Sequence, residues 1–203
     1  MNQFRKKLTK IKNLLNNAEK ASLKFKKTYK LDCFAGCGKC CSNDSVEASS
    51  LEFLPLAEDI WKNGGALELL EKLKDIDSLS PCVFYVHDGI DSTKGFCSAY
   101  KMRGLICRLF GFSLRKNKAG GQDVLTCKAI KEKYNLANVL FEDTEQEYLM
   151  SAYYLQLADI DYSRAFKRFP INQAIMEAML EYGLLNSFHK PRGTKQTPSI
   201  KAS

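Results

Sequence analysis

The sequence predicts an α+β chain that is mostly helical, with small β-hairpins and a cysteine-rich core flanked by N- and C-terminal helices. Three observations support this fold class. Apolar residues recur at helical spacing in residues 1–30 and again after residue 130. Between these segments, short runs rich in aromatic and β-branched residues alternate with turns of Gly, Asp and Ser. All eight cysteines lie in this middle part, between residues 33 and 127.

The chain divides into four predicted parts. They are a basic amphipathic helix (1–30), a cysteine-cluster domain (31–130), helices that pack on it (131–188) and a disordered basic tail (189–203). The length of 203 residues is enough for one sizeable core. No apolar run approaches the roughly 18 residues of a membrane helix, and the first residues lack the apolar segment of a signal peptide. We therefore expect a cytoplasmic protein without a transmembrane segment.

The charge of the chain is concentrated at its ends. The formal net charge is +8, but residues 1–30 alone carry ten Lys or Arg against one acid, Glu19. The tail 190–203 adds four basic residues and no acid, which leaves a mildly acidic body. The two basic ends could contact a nucleic acid or an anionic membrane surface, although an ordinary solvated surface is the simpler interpretation.

The N-terminal segment follows alternating steps of four and three residues, which predicts one long helix. Its apolar seam is formed by Phe4, Leu8, Ile11, Leu15, Ala18, Ser22, Phe25 and Tyr29. Docking of this seam on the chain's own domain is the first interpretation, because Ala18 and Ser22 are weak residues for a coiled coil. A protein partner bound through this helix and a membrane-surface helix stay open as alternatives.

The middle part predicts short elements in a definite order. "SSLEFLPLAEDIWKNGG" is a helix with a serine cap that ends at Asn63, and "ALELLEKLKDI" is a second helix. "CVFYVHDG" and "GFCSAY" form one hairpin, and "FSLRKN" and "DVLTC" form another around "KAGG". "KMRGLICRLF" is a short helix between the hairpins. The later helical pattern runs to a break at Pro170 and then resumes.

The cysteines are the strongest functional signal in the sequence. Four of them crowd into "CFAGCGKCC", at Cys33, Cys37, Cys40 and Cys41, and four more follow at Cys82, Cys97, Cys107 and Cys127. A reducing compartment disfavours disulfides, whereas thiolates are good ligands for Zn²⁺ and for iron–sulfur clusters. We therefore predict that all eight cysteines are metal ligands and that bound metal cross-links and stabilises the cysteine-rich core.

Several arrangements of the eight thiols stay open at this point. Cys33, Cys37 and Cys40 could converge on one centre, whereas the adjacent Cys40 and Cys41 would point differently in most backbone conformations. The ligands could form two four-cysteine sites, or one cluster with a second metal or free thiols. We favour centres that combine nearby and remote cysteines, because such centres tie the loop to the domain. Arg108, next to Cys107, is the expected neighbour that offsets thiolate charge, and the other nearby cations are Lys39, Lys101, Arg103 and Lys128.

Together, "CFAGCGKCC", "PCVFYVHDG", "GFCSAYKMRGLICRLFGF" and Cys127 resemble the YkgJ-type cysteine-cluster family. That family is described as a zinc- or iron-chelating domain with a CxxCxxCC-like cluster, and the resemblance covers about residues 33–130. The residues that fit its middle motif are Cys97, Tyr100, Arg103, Cys107, Arg108 and Phe110. The resemblance implies that Tyr100, Arg103 and Arg108 lie beside the bound metal. Gly104 and Gly111 depart from the motif, where prolines are usual.

The sequence predicts a metal-binding protein whose metal is held by cysteine alone and is structural. Zn²⁺ is preferred over iron or an iron–sulfur cluster. Flagellin lysine N-methylase is a more distant resemblance and raises the alternative of a metal-dependent enzyme for protein methyl transfer. Metal storage or delivery is a third hypothesis. No catalytic residue is assigned, since the two histidines, His87 and His189, lie in a hairpin and in the tail.

Overall fold

The structure, a computed structural model, describes residues 2–77, 80–89, 94–136, 141 and 146–187. Its α-helices are α1 (Asn2–Tyr29), α2 (Leu54–Lys62), α3 (Ala66–Asp75), α4 (Leu105–Leu109), α5 (Lys128–Lys133), α6 (Met150–Ile160), α7 (Tyr162–Ala165) and α8 (Ile171–Ser187). Its strands are β1 (Glu47–Ala48), β2 (Tyr85–His87), β3 (Gly95–Cys97), β4 (Ser113–Lys116), β5 (Gln122–Leu125) and β6 (Phe169–Pro170). The predicted α+β, mostly helical fold class is confirmed. The predicted tail 189–203 lies outside the described residues.

Helix α1 docks its apolar seam on the chain's own core. Ile11, Ala18 and Phe25 are fully buried, and the helix packs against α2, α4 and α6. It ends in a turn in which Lys30 adopts a left-handed conformation with φ of 51°. The N–H of Leu31 then donates to the carbonyl of Lys26 at 3.0 Å, which satisfies one of the last helical carbonyls. This ending fixes the direction in which the chain enters the cysteine loop.

The core is formed mainly by α1, α2, α6 and α8. Leu54 of α2, Leu157 of α6 and Met179 of α8 are all fully buried. Trp61 donates its indole N–H to the carbonyl of Met179 at 2.8 Å. Its ring lies so close to Gly183 that an added Cβ would stand 2.4 Å from a ring carbon, so this contact requires glycine. None of the described helices has the length and apolar composition that crossing a bilayer requires.

The strands form three separate two-stranded antiparallel sheets. The pairs β2–β3 and β4–β5 are the two predicted hairpins. The pair β1–β6 was not anticipated, because two-residue strands far apart in the sequence carry no periodic pattern. The helical run after residue 146 was predicted to continue to Pro170, but it breaks earlier. Asp161 follows the last residue of α6 and is the N-cap of α7. Its carboxylate accepts the N–H of Arg164 in the first turn of α7.

A fully buried carboxylate, Glu52, joins three parts of the chain. It accepts hydrogen bonds from the N–H of Ser49 at 3.0 Å, the N–H of Ile106 at 2.9 Å and the guanidinium of Arg168 at 3.1 Å. Burial raises the pKa of Glu52, and the cation of Arg168 opposes that change. Because one of its donors is the N–H of Ile106, Glu52 fixes the first turn of α4, in which Cys107 is the next residue.

Replacing Glu52 with Ala should lower the free energy of unfolding by about 3–5 kcal/mol, since it removes the carboxylate partner of the partly buried guanidinium of Arg168 and of two N–H groups. Urea unfolding followed by circular dichroism measures this change. The control is Glu71→Ala, which removes only an exposed ion pair with Lys74 and should change stability little. Similar losses in the two variants would contradict the role assigned to Glu52.

Candidate metal centre

The cysteine loop is held by its backbone on both sides. At its start, the N–H of Asp32 donates to the hydroxyl of Tyr134 at 2.9 Å. In its middle, the carbonyl of Gly36 accepts the N–H of Gly95 at 2.9 Å, so the loop lies along strand β3. At its end, the carbonyl of Gly38 accepts the N–H groups of Cys41 and of the next residue, at 2.8 and 2.9 Å. These contacts fix the backbone that carries the first four thiols.

Glycine at position 38 allows the loop to approach the first hairpin. A Cβ at Gly38 would stand 2.3 Å from the ring of Tyr85, a distance that no side chain could accept. Tyr85 pairs with Cys97 across β2 and β3, and the N–H of Cys82 donates to the carbonyl of Cys41 at 3.2 Å. The loop and the hairpin therefore bring Cys41, Cys82 and Cys97 into one region.

Five cysteines form a group that we call the central thiol group: Cys40, Cys41, Cys82, Cys97 and Cys107. The sulfurs of Cys40 and Cys41 are 3.9 Å apart, and the thiols of Cys41 and Cys97 interact by a hydrogen bond. Cys82 and Cys107 interact electrostatically with the others. Four thiolates at about 2.3 Å from one zinc ion lie about 3.8 Å from each other, so the Cys40–Cys41 separation already suits one shared ion.

The adjacent pair departs from the sequence expectation. We expected Cys40 and Cys41 to point differently, yet their sulfurs lie on the same side of the chain. The reason is the tight turn after Gly38, in which two successive N–H groups share one carbonyl and curl the backbone. Neighbouring side chains on such a turn can face one point, whereas in an extended segment they would face opposite sides.

The central thiol group favours thiolates at two positions. A hydrogen bond from Cys41 lowers the pKa of Cys40 to about 6 and that of Cys97 to about 7, and the cation of Arg103 contributes to both shifts. The pKa of Cys41 is correspondingly raised, since its proton serves both neighbours. Two soft anions close together are the arrangement that attracts a soft cation.

The remaining members of the group are more protected. Burial raises the pKa of Cys82 to about 11, and burial also raises the pKa of Cys107. Ligation would require both thiols to lose their protons. Within the described residues, no three cysteine, histidine or carboxylate side chains form a group that could hold an ion as they stand. Side-chain rotations would therefore be needed before three or more of these thiols could share one ion.

Three predicted ligands lie outside the central thiol group. The thiols of Cys33 and Cys37 interact with each other, and burial together with the charges of Cys37 and Cys40 raises the pKa of Cys33 to about 11. Cys127 stands just before α5, where its carbonyl accepts the N–H of Lys131 at 3.1 Å. No hydrogen bond joins Cys127 to another thiol in the part of the chain that the structure describes. Among the described residues, hydrogen bonds therefore link the thiols of Cys40, Cys41 and Cys97 to one another, and those of Cys33 and Cys37, whereas the remaining thiol–thiol interactions are electrostatic only.

Arg103 is the cation that acts most directly on the thiols. Its guanidinium lies 3.6 Å from the ring centre of Tyr100 and donates to Glu19 at 3.1 Å. It lowers the pKa of Cys40 and Cys97 through its charge. Its Nε is buried and has no hydrogen-bond partner among the described residues. Arg103 therefore lies close enough to Cys40 and Cys97 for its charge to act on both thiols, and Tyr100 contacts the site through Arg103.

Arg108, which we expected to offset thiolate charge, interacts with Cys107 through its charge, but its hydrogen bonds go to other groups. Its guanidinium donates to Glu19 at 2.7 Å and to the backbone carbonyls of Lys101 and Arg103 at 2.7 and 3.0 Å. It therefore holds the segment that carries Arg103 against α1. Sequence reasoning missed Glu19 as part of this site. Its only signal was that it is the single acid in the basic N-terminal segment and borders the apolar seam.

The two remaining features named from the sequence are less central. His87 is exposed on strand β2, and its Nδ1 accepts the N–H of Gly89 at 3.0 Å, as expected for a hairpin residue. The lysines near the cysteines, such as Lys39 and Lys128, are solvent-exposed. Lys128 forms an i,i+4 pair with Glu132.

One protein family matches the chain over residues 32–134, about half of its length. The family is named CxxCxxCC and described as a "Putative zinc- or iron-chelating domain". No curated protein and no solved structure matches the chain. The matched region contains all eight cysteines, both hairpins and Arg103. The chain therefore belongs to the CxxCxxCC family of zinc- or iron-chelating domains.

Proposed function

We propose that the protein binds zinc or iron through cysteine ligands alone and that the metal is structural. The observation that carries this proposal is the central thiol group, whose five thiols come from the loop, the first hairpin and α4, and in which the charge of Arg103 acts on Cys40, Cys97 and Cys107. A tetrahedral site of four thiolates on Zn²⁺ carries a formal charge of −2, which is costly to bury without a cation nearby. Arg103 supplies such a charge.

The ligand set combines nearby and remote cysteines. Cys40, Cys41 and Cys97 would bind the first ion, because their thiols already interact, and Cys82 or Cys107 would complete it. Whichever of Cys82 and Cys107 does not bind the first ion would join Cys33, Cys37 and Cys127 at a second ion. The pairing of Cys33 with Cys37 supports this division. Each ion would then join segments that are far apart in the sequence.

A structural role fits the chemistry of the site better than catalysis. Structural zinc sites use four protein ligands and are often all-cysteine, whereas catalytic zinc keeps an open position. The alternative of an enzyme similar to flagellin lysine N-methylase has no support in the family match, whose description concerns chelation and names no reaction. We prefer Zn²⁺ because such a site needs no assembly machinery, and an iron–sulfur cluster is the second candidate.

Metal analysis distinguishes these assignments. Protein purified without oxygen and analysed by elemental analysis and visible absorption should be colourless and hold about two zinc ions per chain. A brown protein that contains iron and acid-labile sulfide would show that the metal is an iron–sulfur cluster and not zinc. The assignment of cysteine ligands would then be unchanged. Fully folded protein with reduced thiols and no transition metal would refute the proposal.

Substitution of single ligands tests the cysteine assignment. Cys97→Ser and Cys107→Ser should each lower the metal content and reduce the free energy of unfolding by several kcal/mol, that is, roughly 3–5. The matched control is His87→Ala on the same hairpin as Cys97, which should change neither quantity. Loss of metal in the histidine variant together with full metal in both serine variants would show that the ligands are wrongly assigned.

Removal of the metal by a strong chelator tests whether it is structural. Structural zinc contributes about 10–16 kcal/mol of apparent binding free energy in small zinc-finger peptides, so its loss should unfold the hairpin and loop region. Amide hydrogen exchange should then rise in residues 31–41 and 80–136 before it rises in α8. Rapid metal loss without any change in exchange would instead support storage or delivery.

A further inference from the structure

The solvent-exposed face of α1 carries a regular row of lysines and asparagines. Positions 6, 10, 13, 17, 20, 24 and 27 follow the same alternating steps of four and three as the apolar seam, but on the opposite face of the helix. We call this row the Lys/Asn stripe: Lys6, Lys10, Asn13, Asn17, Lys20, Lys24 and Lys27. All seven residues are exposed, and no acid interrupts the row. At about 1.5 Å per residue the row is about 31 Å long.

The stripe is distinct from the lysines that hold α1 to the body. Lys7 pairs with Asp161 at 2.5 Å, Lys12 with Glu58 at 2.5 Å, and another lysine, Lys26, with an acid of the cysteine loop at 2.7 Å. Within the stripe, only Lys24 forms an ion pair, an exposed one with a glutamate, in the part of the chain that the structure describes. The acids of the body therefore neutralise the inward lysines and leave the stripe unneutralised.

The stripe is unfavourable for the helix itself. Lys6 and Lys10, and likewise Lys20 and Lys24, stand four residues apart, where like charges weaken a helix. A merely solvated helix face would gain from glutamates at these spacings, and α1 has none there. The first turn of α1 also lacks an acid, although an acid would suit the positive end of the helix dipole. Apart from the exposed ion pair of Lys24, the stripe forms no ion pair within the described residues, so it points to an external anionic partner.

The chemistry of the stripe favours a nucleic acid over a membrane. A membrane-surface helix inserts an apolar face into the lipid, but the apolar seam of α1 is already buried in the core. The large apolar residue that α1 leaves well exposed is Leu23. Lysine ammonium groups neutralise phosphates, and asparagine amides can donate to phosphate oxygens as well. We propose that the Lys/Asn stripe binds the phosphate backbone of a nucleic acid without reading its sequence.

The test measures binding of a fluorescently labelled 20-nucleotide single-stranded RNA, and of a 20-base-pair DNA duplex, by anisotropy between 50 and 200 mM salt. The stripe variant is Lys10→Gln, Lys20→Gln and Lys27→Gln, since glutamine preserves helix propensity while it removes charge. The control variant is Lys116→Gln, Lys118→Gln and Lys131→Gln, three exposed lysines without ion pairs among the described residues, which lowers the net charge equally.

The full-length protein should bind with an affinity that falls steeply with salt. Loss of three phosphate contacts should reduce the slope of log K against log[salt] by about 2–3 and weaken binding at least about tenfold at low salt. The control variant should bind like the unchanged protein. Equal loss in both variants, or no binding by the unchanged protein at 50 mM salt, would overturn the proposal. So would tighter binding to phosphatidylserine vesicles than to either nucleic acid. Unchanged metal content and circular dichroism in both variants would show that any loss arises at the stripe.

Discussion

The organisation of this protein depends on how the charge of closely packed thiols is offset. Thiolates this close repel each other, and a partly buried position strengthens that repulsion because water screens it less. Arg103 opposes it from beside Cys40 and Cys97. Arg103 itself is held by stacking on Tyr100 and by Glu19 of α1. A helix outside the family match therefore fixes the cation of the candidate centre inside it, which explains why a metal domain is packed against this helix.

Helix α1 serves two surfaces through one repeating pattern. Steps of four and three residues place apolar residues against the core, and the same steps, shifted by two positions, place lysines and asparagines in water. Between them, Glu19 reaches the two arginines of the centre, and inward lysines pair with acids of the body. Some lysines of α1 therefore stabilise the fold through ion pairs with the body, whereas those of the Lys/Asn stripe are exposed to solvent.

Sequence patterns predicted the features that depend on interactions between residues close in the sequence. They did not predict the features that depend on residues far apart in the sequence. The seam of α1, both hairpins and the break at Pro170 follow from periodicity and turn residues within a few positions. The roles of Glu19 and Glu52 do not, because each carboxylate acts through partners dozens of residues away. The family resemblance named Tyr100 and Arg103, but only the fold shows that Arg103 stacks on Tyr100, pairs with Glu19 and acts on Cys40 and Cys97. The orientation of Cys40 and Cys41 depends on a turn whose curl leaves no periodic signal in the sequence.

The first hairpin shows why metal, rather than the apolar core, would hold the middle of the chain. Strands β2 and β3 have three residues each, and an isolated hairpin is marginal in water. Their outward pair, Val86 and Phe96, is exposed and therefore adds little to the core. The hairpin is joined to the rest by backbone hydrogen bonds to the cysteine loop, by the thiols of Cys82 and Cys97, and at its base by Asn172 of α8, which accepts the N–H of Val83 at 2.8 Å. By contrast, α8 buries a full apolar face. An ion shared by loop and hairpin would give this hairpin a stabilisation that α8 obtains from apolar packing.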